Sequence, residues 1–181
     1  MNREGALGPL EGKRSRGEVV LEALDHADAA VAVRALKQID STAYRPFNLV
    51  IADNRDAFWL RSTGEGPPTV KEIPAGHSMI TAMDLNDTHH ARIRRYLPVL
   101  RATPAPDPAG GDWTAWEALM SATETAPDAG PRGAMAIADT GGYGTVSGSL
   151  LALPAAGVAA HPAWHFCAGR PGTAPYGDVA F

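Results

Sequence analysis

The chain is short of several things, and each shortage excludes something. It has one cysteine, Cys167, so no intramolecular disulfide framework can hold it together. No uninterrupted apolar run reaches the roughly 18 residues that a membrane-crossing helix needs. Positive charge is not in excess: the formal net charge is −4 over 181 residues, which lacks the electrostatic footprint of a nucleic-acid binder. The first residues, Met1-Asn2-Arg3-Glu4-Gly5, are polar and carry no apolar signal region. These shortages point to a cytoplasmic protein with no membrane span and no nucleic-acid partner. Lysine is scarce beside arginine, while Ala, Gly and Pro are abundant, a pattern of GC-rich coding without functional content.

What is present is ordinary for a globular chain: 45% hydrophobic and 20% charged residues, enough for a sizeable core in one domain over 1–181. The most structured stretch is 46–63. Two β-prone runs flank Asp53-Asn54-Arg55-Asp56, and Asp and Asn favour tight turns, so the pattern predicts a hairpin. The run 47–52 is nearly all apolar and is expected to be covered on both faces. The run 57–63 breaks into Arg61 and Thr63 and is expected to turn one face to solvent.

Residues 1–14 contain Gly5, Gly8, Pro9 and Gly12 and read as loop. Ser15 and Glu18 have capping-box spacing, with Val20, Leu21 and Leu24 on the apolar side of a helix ending near His26. Asp28 is placed to cap a second helix through Ile39, with Val33 and Leu36 inward beside Ile39 or Val31. After the hairpin, 69–73 reads as a strand and 78–82 as its return. Thr88 is placed to cap a helix carrying Ile93, Tyr96, Leu97 and Leu100, bent or shortened by Pro98. Asp112 is placed to cap another, carrying Trp113, Trp116, Leu119 and Met120. Residues 134–138, 145–153 and 164–168 read as strands. About four helices and six or seven strands without strict alternation indicate the α+β class.

Candidate chemistry is sparse. The glycine-rich 141–148 lacks the following helix that a phosphate loop requires, so it reads as a structural turn. Ser147 does not sit in a nucleophile elbow. His161, His165 and Cys167 are close, but no fourth metal ligand is supplied nearby, and a core cysteine with two surface histidines is the simpler reading. His89-His90 and the arginines 92, 94 and 95 read as solvated groups. Arg16 lies at a helix start, where a cation is unfavourable unless it meets an anion. Asn48 interrupts an apolar strand and, if buried, must be hydrogen-bonded. Both are candidate binding residues, with a buried structural network as the alternative. The residues name no cofactor.

The order of motifs resembles the NRDE family, which includes the transport and Golgi organisation protein 2. It runs from Asn2-Arg3-x-Gly5-x-Leu7-Gly8-Pro9 through Gly12-Lys13-Arg14-Ser15-Arg16-Gly17-Glu18 to Tyr44-Arg45-Pro46-Phe47-Asn48-Leu49. Pro74-Ala75-Gly76-His77, Asp84-Leu85-Asn86-Asp87, Asp112-Trp113-x-x-Trp116-Glu117-Ala118-Leu119 and Tyr143-Gly144-Thr145-Val146-Ser147 follow in the same order. Asn54-Arg55-Asp56 spells part of the family name but is turn chemistry, not the signature.

The resemblance implies an N-terminal-nucleophile-hydrolase-like fold, two stacked sheets between helical layers (αββα). In such enzymes the first residue supplies nucleophile and base together, which implies amide-bond hydrolysis through an acyl-enzyme. Here the family's N-terminal signature and its cysteine after the initiator methionine are missing. The chain is therefore expected to lack its nucleophile, to be inactive, and to be a truncated form incomplete at the N-terminal edge. Asn2 resembles an asparagine used by related acylamide hydrolases as an oxyanion donor, with a turn role as the alternative. Thr81-Ala82 stands where relatives have Ser-Asn. The competing reading is a non-enzymatic carrier, because family members have been linked to haem and to lipid or acyl-CoA handling. The ligand itself is not named by the sequence.

Overall fold

The structure, a computed structural model, describes residues 8–139 and 141–180. Asn2 lies outside the described residues. The chain divides into two compact units, Met1–Asp87 and Thr88–Phe181. Among the described residues there are four α-helices and six strands, the strands forming two three-stranded antiparallel sheets, which is an α+β chain. No helix among them is long and apolar enough to cross a membrane.

The first unit starts with α1 (Arg16–Leu24) and α2 (Ala29–Leu36) and continues into β1 (Phe47–Ala52), β2 (Ala57–Ser62) and β3 (Thr69–Glu72). Its sheet has the order β1-β2-β3, with Phe47 opposite Ser62 and Ala52 opposite Ala57, so the hairpin turn falls on 53–56 as its Asp and Asn content requires. Val19, Leu36, Tyr44, Phe47, Leu49 and Leu60 form the core between the two helices and the sheet. Burial of such aliphatic and aromatic side chains is worth about 1.5–3 kcal/mol each, the main force holding this unit together.

Several expectations for this unit need correction. In α1 the buried residue is Val19, with Val20 and Ala23 packed beside it, while Leu21 and Leu24 are 64% and 74% exposed. The capping box is half formed: Ser15 Oγ accepts from the Gly17 N–H at 3.2 Å, but Glu18 pairs with Arg14 instead of reaching back. α2 stops at Leu36, and Asp28 occupies its cap position without making a side-chain cap bond. β1 is not covered on both faces, since Val50 is 46% exposed. β2 is the better covered strand, with Trp59, Leu60 and Ser62 buried, because it is central in the sheet and β1 lies at an edge. Residues 78–82 form no strand. They belong to an irregular loop closed by Asn86 at φ 57°, whose Oδ1 accepts from the Met79 N–H at 2.7 Å.

The second unit contains α3 (Ala91–Ala102), α4 (Thr114–Met120), β4 (Gly148–Ala152), β5 (Ala163–Cys167) and β6 (Tyr176–Asp178), the strands in the order β4-β5-β6. Pro98 does not shorten α3, which runs four residues beyond it to Ala102. Ile93, Tyr96 and Leu97 are its buried face. Asp112 acts one position before the helix cap, its Oδ1 accepting from the Thr114 N–H at 3.0 Å. Residues 134–138 are not a strand; they are tied instead by Ala136 N–H to the Ala122 carbonyl and by Thr145 N–H to the Ile137 carbonyl. The segment 141–147 is a turn into β4, with the Gly142 N–H on Asp139 Oδ1 at 2.8 Å. β6 was not expected from the sequence, because three residues carrying Gly177 give no periodic signal.

Candidate functional site

Asn48 is buried on β1, and its amide is hydrogen-bonded into the fold. Its Nδ2 donates to the Thr81 carbonyl at 3.1 Å and to the Met83 carbonyl at 2.7 Å. Its Oδ1 accepts from the Trp59 indole N–H at 3.1 Å. The side chain thereby pins the loop before Asp87 to the sheet, and Arg61 on β2 adds an ion pair to Asp84 at 3.1 Å. With Nδ2 aimed at two carbonyls, both amide N–H donors are engaged in this buried network. The same loop holds Thr81, so Thr81-Ala82 falls beside Asn48.

Arg16 opens α1 and donates from Nη1 to the Pro46 carbonyl at 3.1 Å. It lines an open cleft of about 510 Å³ together with Lys13, Arg14 and Arg45 and the segment Gly8–Leu10. Burial, then the nearby Arg45 charge, lower the Arg16 pKa from its usual value. Lys13 donates to the Thr42 carbonyl and Arg45 to the Gly8 carbonyl at 3.2 Å, while Arg14 is paired with Glu18.

Cys167 ends β5 fully buried, its thiol directed at the Gly169 carbonyl at 3.1 Å and the Ala174 carbonyl at 3.3 Å. No group of three or more His, Cys, Asp or Glu among the described residues is arranged to hold a metal.

His165 is not the surface histidine that the sequence suggested; its side chain is only 17% exposed. The ring is stacked between Trp113, centroids 5.8 Å apart at 7°, and Tyr176, 5.6 Å apart at 2°. In the ring plane, Nε2 lies 2.9 Å from Glu117 Oε1 and Nδ1 lies 2.7 Å from Asp178 Oδ1. Sequence reasoning missed this cluster, although two signals were visible. Trp113 and Glu117 are four apart at the start of α4, and His165 shares a strand face with Cys167. What brings them together is β6, whose Asp178 is directly opposite His165 and whose Tyr176 is opposite Cys167. Glu117 and Tyr176 also line an open polar cavity of about 450 Å³ with Thr114, Ser121 and Thr173. Burial raises the Tyr176 pKa to about 12, with the Cys167 and Glu117 charges adding to it.

No family model, curated protein or solved structure matches this chain.

Proposed function

We propose that this chain is an NRDE-type relative of the N-terminal-nucleophile amidohydrolases that binds a small molecule without cleaving it. The observation that carries the reading is Cys167. The sequence has no other cysteine, and this thiol is buried and directed at two backbone carbonyls. A nucleophilic cysteine needs an exposed, electropositive setting that favours the thiolate, and Cys167 has neither. Asn48 is likewise consumed by the fold, whereas Arg16 borders open space. The finer fold proposal is the stacked-sheet αββα arrangement; what supports it is that each unit carries a three-stranded antiparallel sheet with helices.

One observation favours a second, carrier reading. A groove of about 330 Å³ runs between α1, α2 and β1, with Val20, Leu24, Ala32, Leu49 and Ile51 forming its apolar part and His26, Asp28 and Asp53 its polar part. That volume lies at the low end of the roughly 300–1,000 Å³ typical of ligand pockets, which suits a single acyl chain better than a haem macrocycle.

The test is incubation of the full chain with a panel of acyl-amide substrates, with mass spectrometry for an acyl adduct. The expected result is no turnover above background and no adduct at Cys167. Turnover that disappears in Cys167→Ala overturns the reading.

A further inference from the structure

The glycine-rich turn before β4 borders an open cavity of about 450 Å³ in the second unit, lined by Asp139, Gly142, Gly144, Thr145, Val146 and Arg170. Arg170 is half-buried, and its guanidinium makes no hydrogen bond, ion pair or ring contact among the described residues. Arg16, Arg45, Arg61 and Arg92 are also half-buried, and each of them meets a carbonyl or a carboxylate. The backbone of Arg170 is nevertheless fixed. Its carbonyl accepts from the Thr173 and Ala174 N–H groups, both at 3.0 Å, and from the Thr173 hydroxyl at 2.8 Å. Fully buried Pro171 follows it, and a residue before proline has little backbone freedom. A guanidinium mounted this way keeps its planar fork of N–H donors open for a carboxylate. Asp139 supplies the opposite charge. Its Oδ1 accepts from the Gly142 N–H at 2.8 Å, and Oδ2 has no partner among the described residues. Its segment is braced as well. A Cβ at Gly144 would come within 3.1 Å of Asp139 Cα, so only glycine lets the turn lie this close, and Thr145 is bonded twice to Ile137. Arg170 and Asp139 thus line one cavity without forming an ion pair with each other. Two fixed charges of opposite sign that stand apart are complementary to a ligand carrying both signs. Val146, 80% exposed, adds apolar surface to the same cavity.

We infer that this cavity binds a free α-amino acid with a small apolar side chain. The Arg170 guanidinium takes its carboxylate, Asp139 Oδ2 takes its ammonium, and Val146 meets its side chain. The inference goes beyond the family reading, because every residue it uses lies in the second unit and none lines the Arg16 cleft or the groove of the first.

The test is calorimetric titration of the full chain with L-valine, N-acetyl-L-valine, which lacks the ammonium, and L-valinamide, which lacks the carboxylate. L-Valine is expected to bind one-to-one and about tenfold more tightly than either derivative, the scale of one lost charge-assisted bond. Arg170→Gln is expected to weaken valine about tenfold and to erase its advantage over valinamide. Asp139→Asn is expected to erase its advantage over N-acetylvaline. Neither change removes a bond that the fold uses, since the Arg170 guanidinium makes none and an asparagine Oδ1 still accepts from the Gly142 N–H. Thermal melts of each variant verify folding, and should Arg170→Gln unfold, Arg170→Lys takes its place, with a smaller expected loss because it keeps the charge without the fork. Arg101→Gln, in the last turn of α3 and outside the cavity, is expected to leave the affinity unchanged. Non-saturable binding of valine, equal affinity for valine and either derivative, or an equal loss in Arg101→Gln overturns the inference.

Discussion

Asp53, in the hairpin turn between β1 and β2, caps a helix that begins at Ala29, 24 residues earlier in the chain. Its Oδ2 accepts from the Ala29 N–H at 2.9 Å, while Oδ1 accepts from the Arg55 and Asp56 N–H groups. One carboxylate thus closes the hairpin and satisfies an orphan donor at the start of α2, which its own cap residue, Asp28, leaves unbonded.

Asp53→Ala is accordingly expected to lower the melting temperature by several degrees, more than Asp28→Ala. The bond from Ala29, then those from Asp56 and Arg55, hold the Asp53 pKa below the usual carboxylate value. A carboxyl depressed in the folded state stabilises above its unfolded pKa and loses that contribution as pH falls through the folded value. The difference in melting temperature between wild type and Asp53→Asn should therefore be full at neutral pH and shrink below about pH 4. A difference that stays constant with pH would refute the electrostatic part of the role.

Replacing Asn48 by leucine should be among the most damaging changes in the first unit. It strands the Thr81 and Met83 carbonyls and the Trp59 indole N–H together. Each unpaired buried group costs about 1–3 kcal/mol, so the expected loss is at least about 3 kcal/mol, read as a lower urea midpoint. A loss under about 1 kcal/mol would mean that water replaces all three contacts.

The two carboxylates on His165 should contribute unequally. Glu117 is 36% exposed, whereas Asp178 is 88% exposed and heavily screened. Double-mutant cycles should give a coupling of about 1–2 kcal/mol for His165 with Glu117 and under about 0.5 kcal/mol for His165 with Asp178. The reverse order would show that solvent access does not govern this cluster.

Tyr176 supplies a prediction at alkaline pH. Its pKa is raised by burial to about 12, so between its unfolded pKa of about 10 and that value the unfolded chain has lost a proton that the folded chain keeps. Stability must fall as pH rises through this window. Tyr176→Phe should flatten the decline while leaving neutral-pH stability nearly unchanged, because Oη has no partner among the described residues. A wild-type decline identical to that of the variant would count against the assignment.

The hairpin, the helices and the α+β class were legible in the sequence because each rests on local physics. Turn-forming Asp and Asn at 53–56 fix the hairpin ends, and the apolar spacing of Ile93, Tyr96 and Leu97 fixes the buried face of α3. Ser15 as a cap and the glycine turn before β4 were legible for the same reason. Which side of α1 is buried was not legible, since Val19 and Leu21 are both apolar and only the partner sheet chooses between them. Asp53 as the cap of α2 was hidden by chain separation, as was Asn48 as the pin of the 81–83 loop. The histidine cluster depends on β6, a strand too short to carry a period, which sets Asp178 and Tyr176 against His165. Local chemistry determined where the elements begin and turn; the long-range pairing of strands and helix ends decided which polar side chains the fold consumes and which it leaves facing open space.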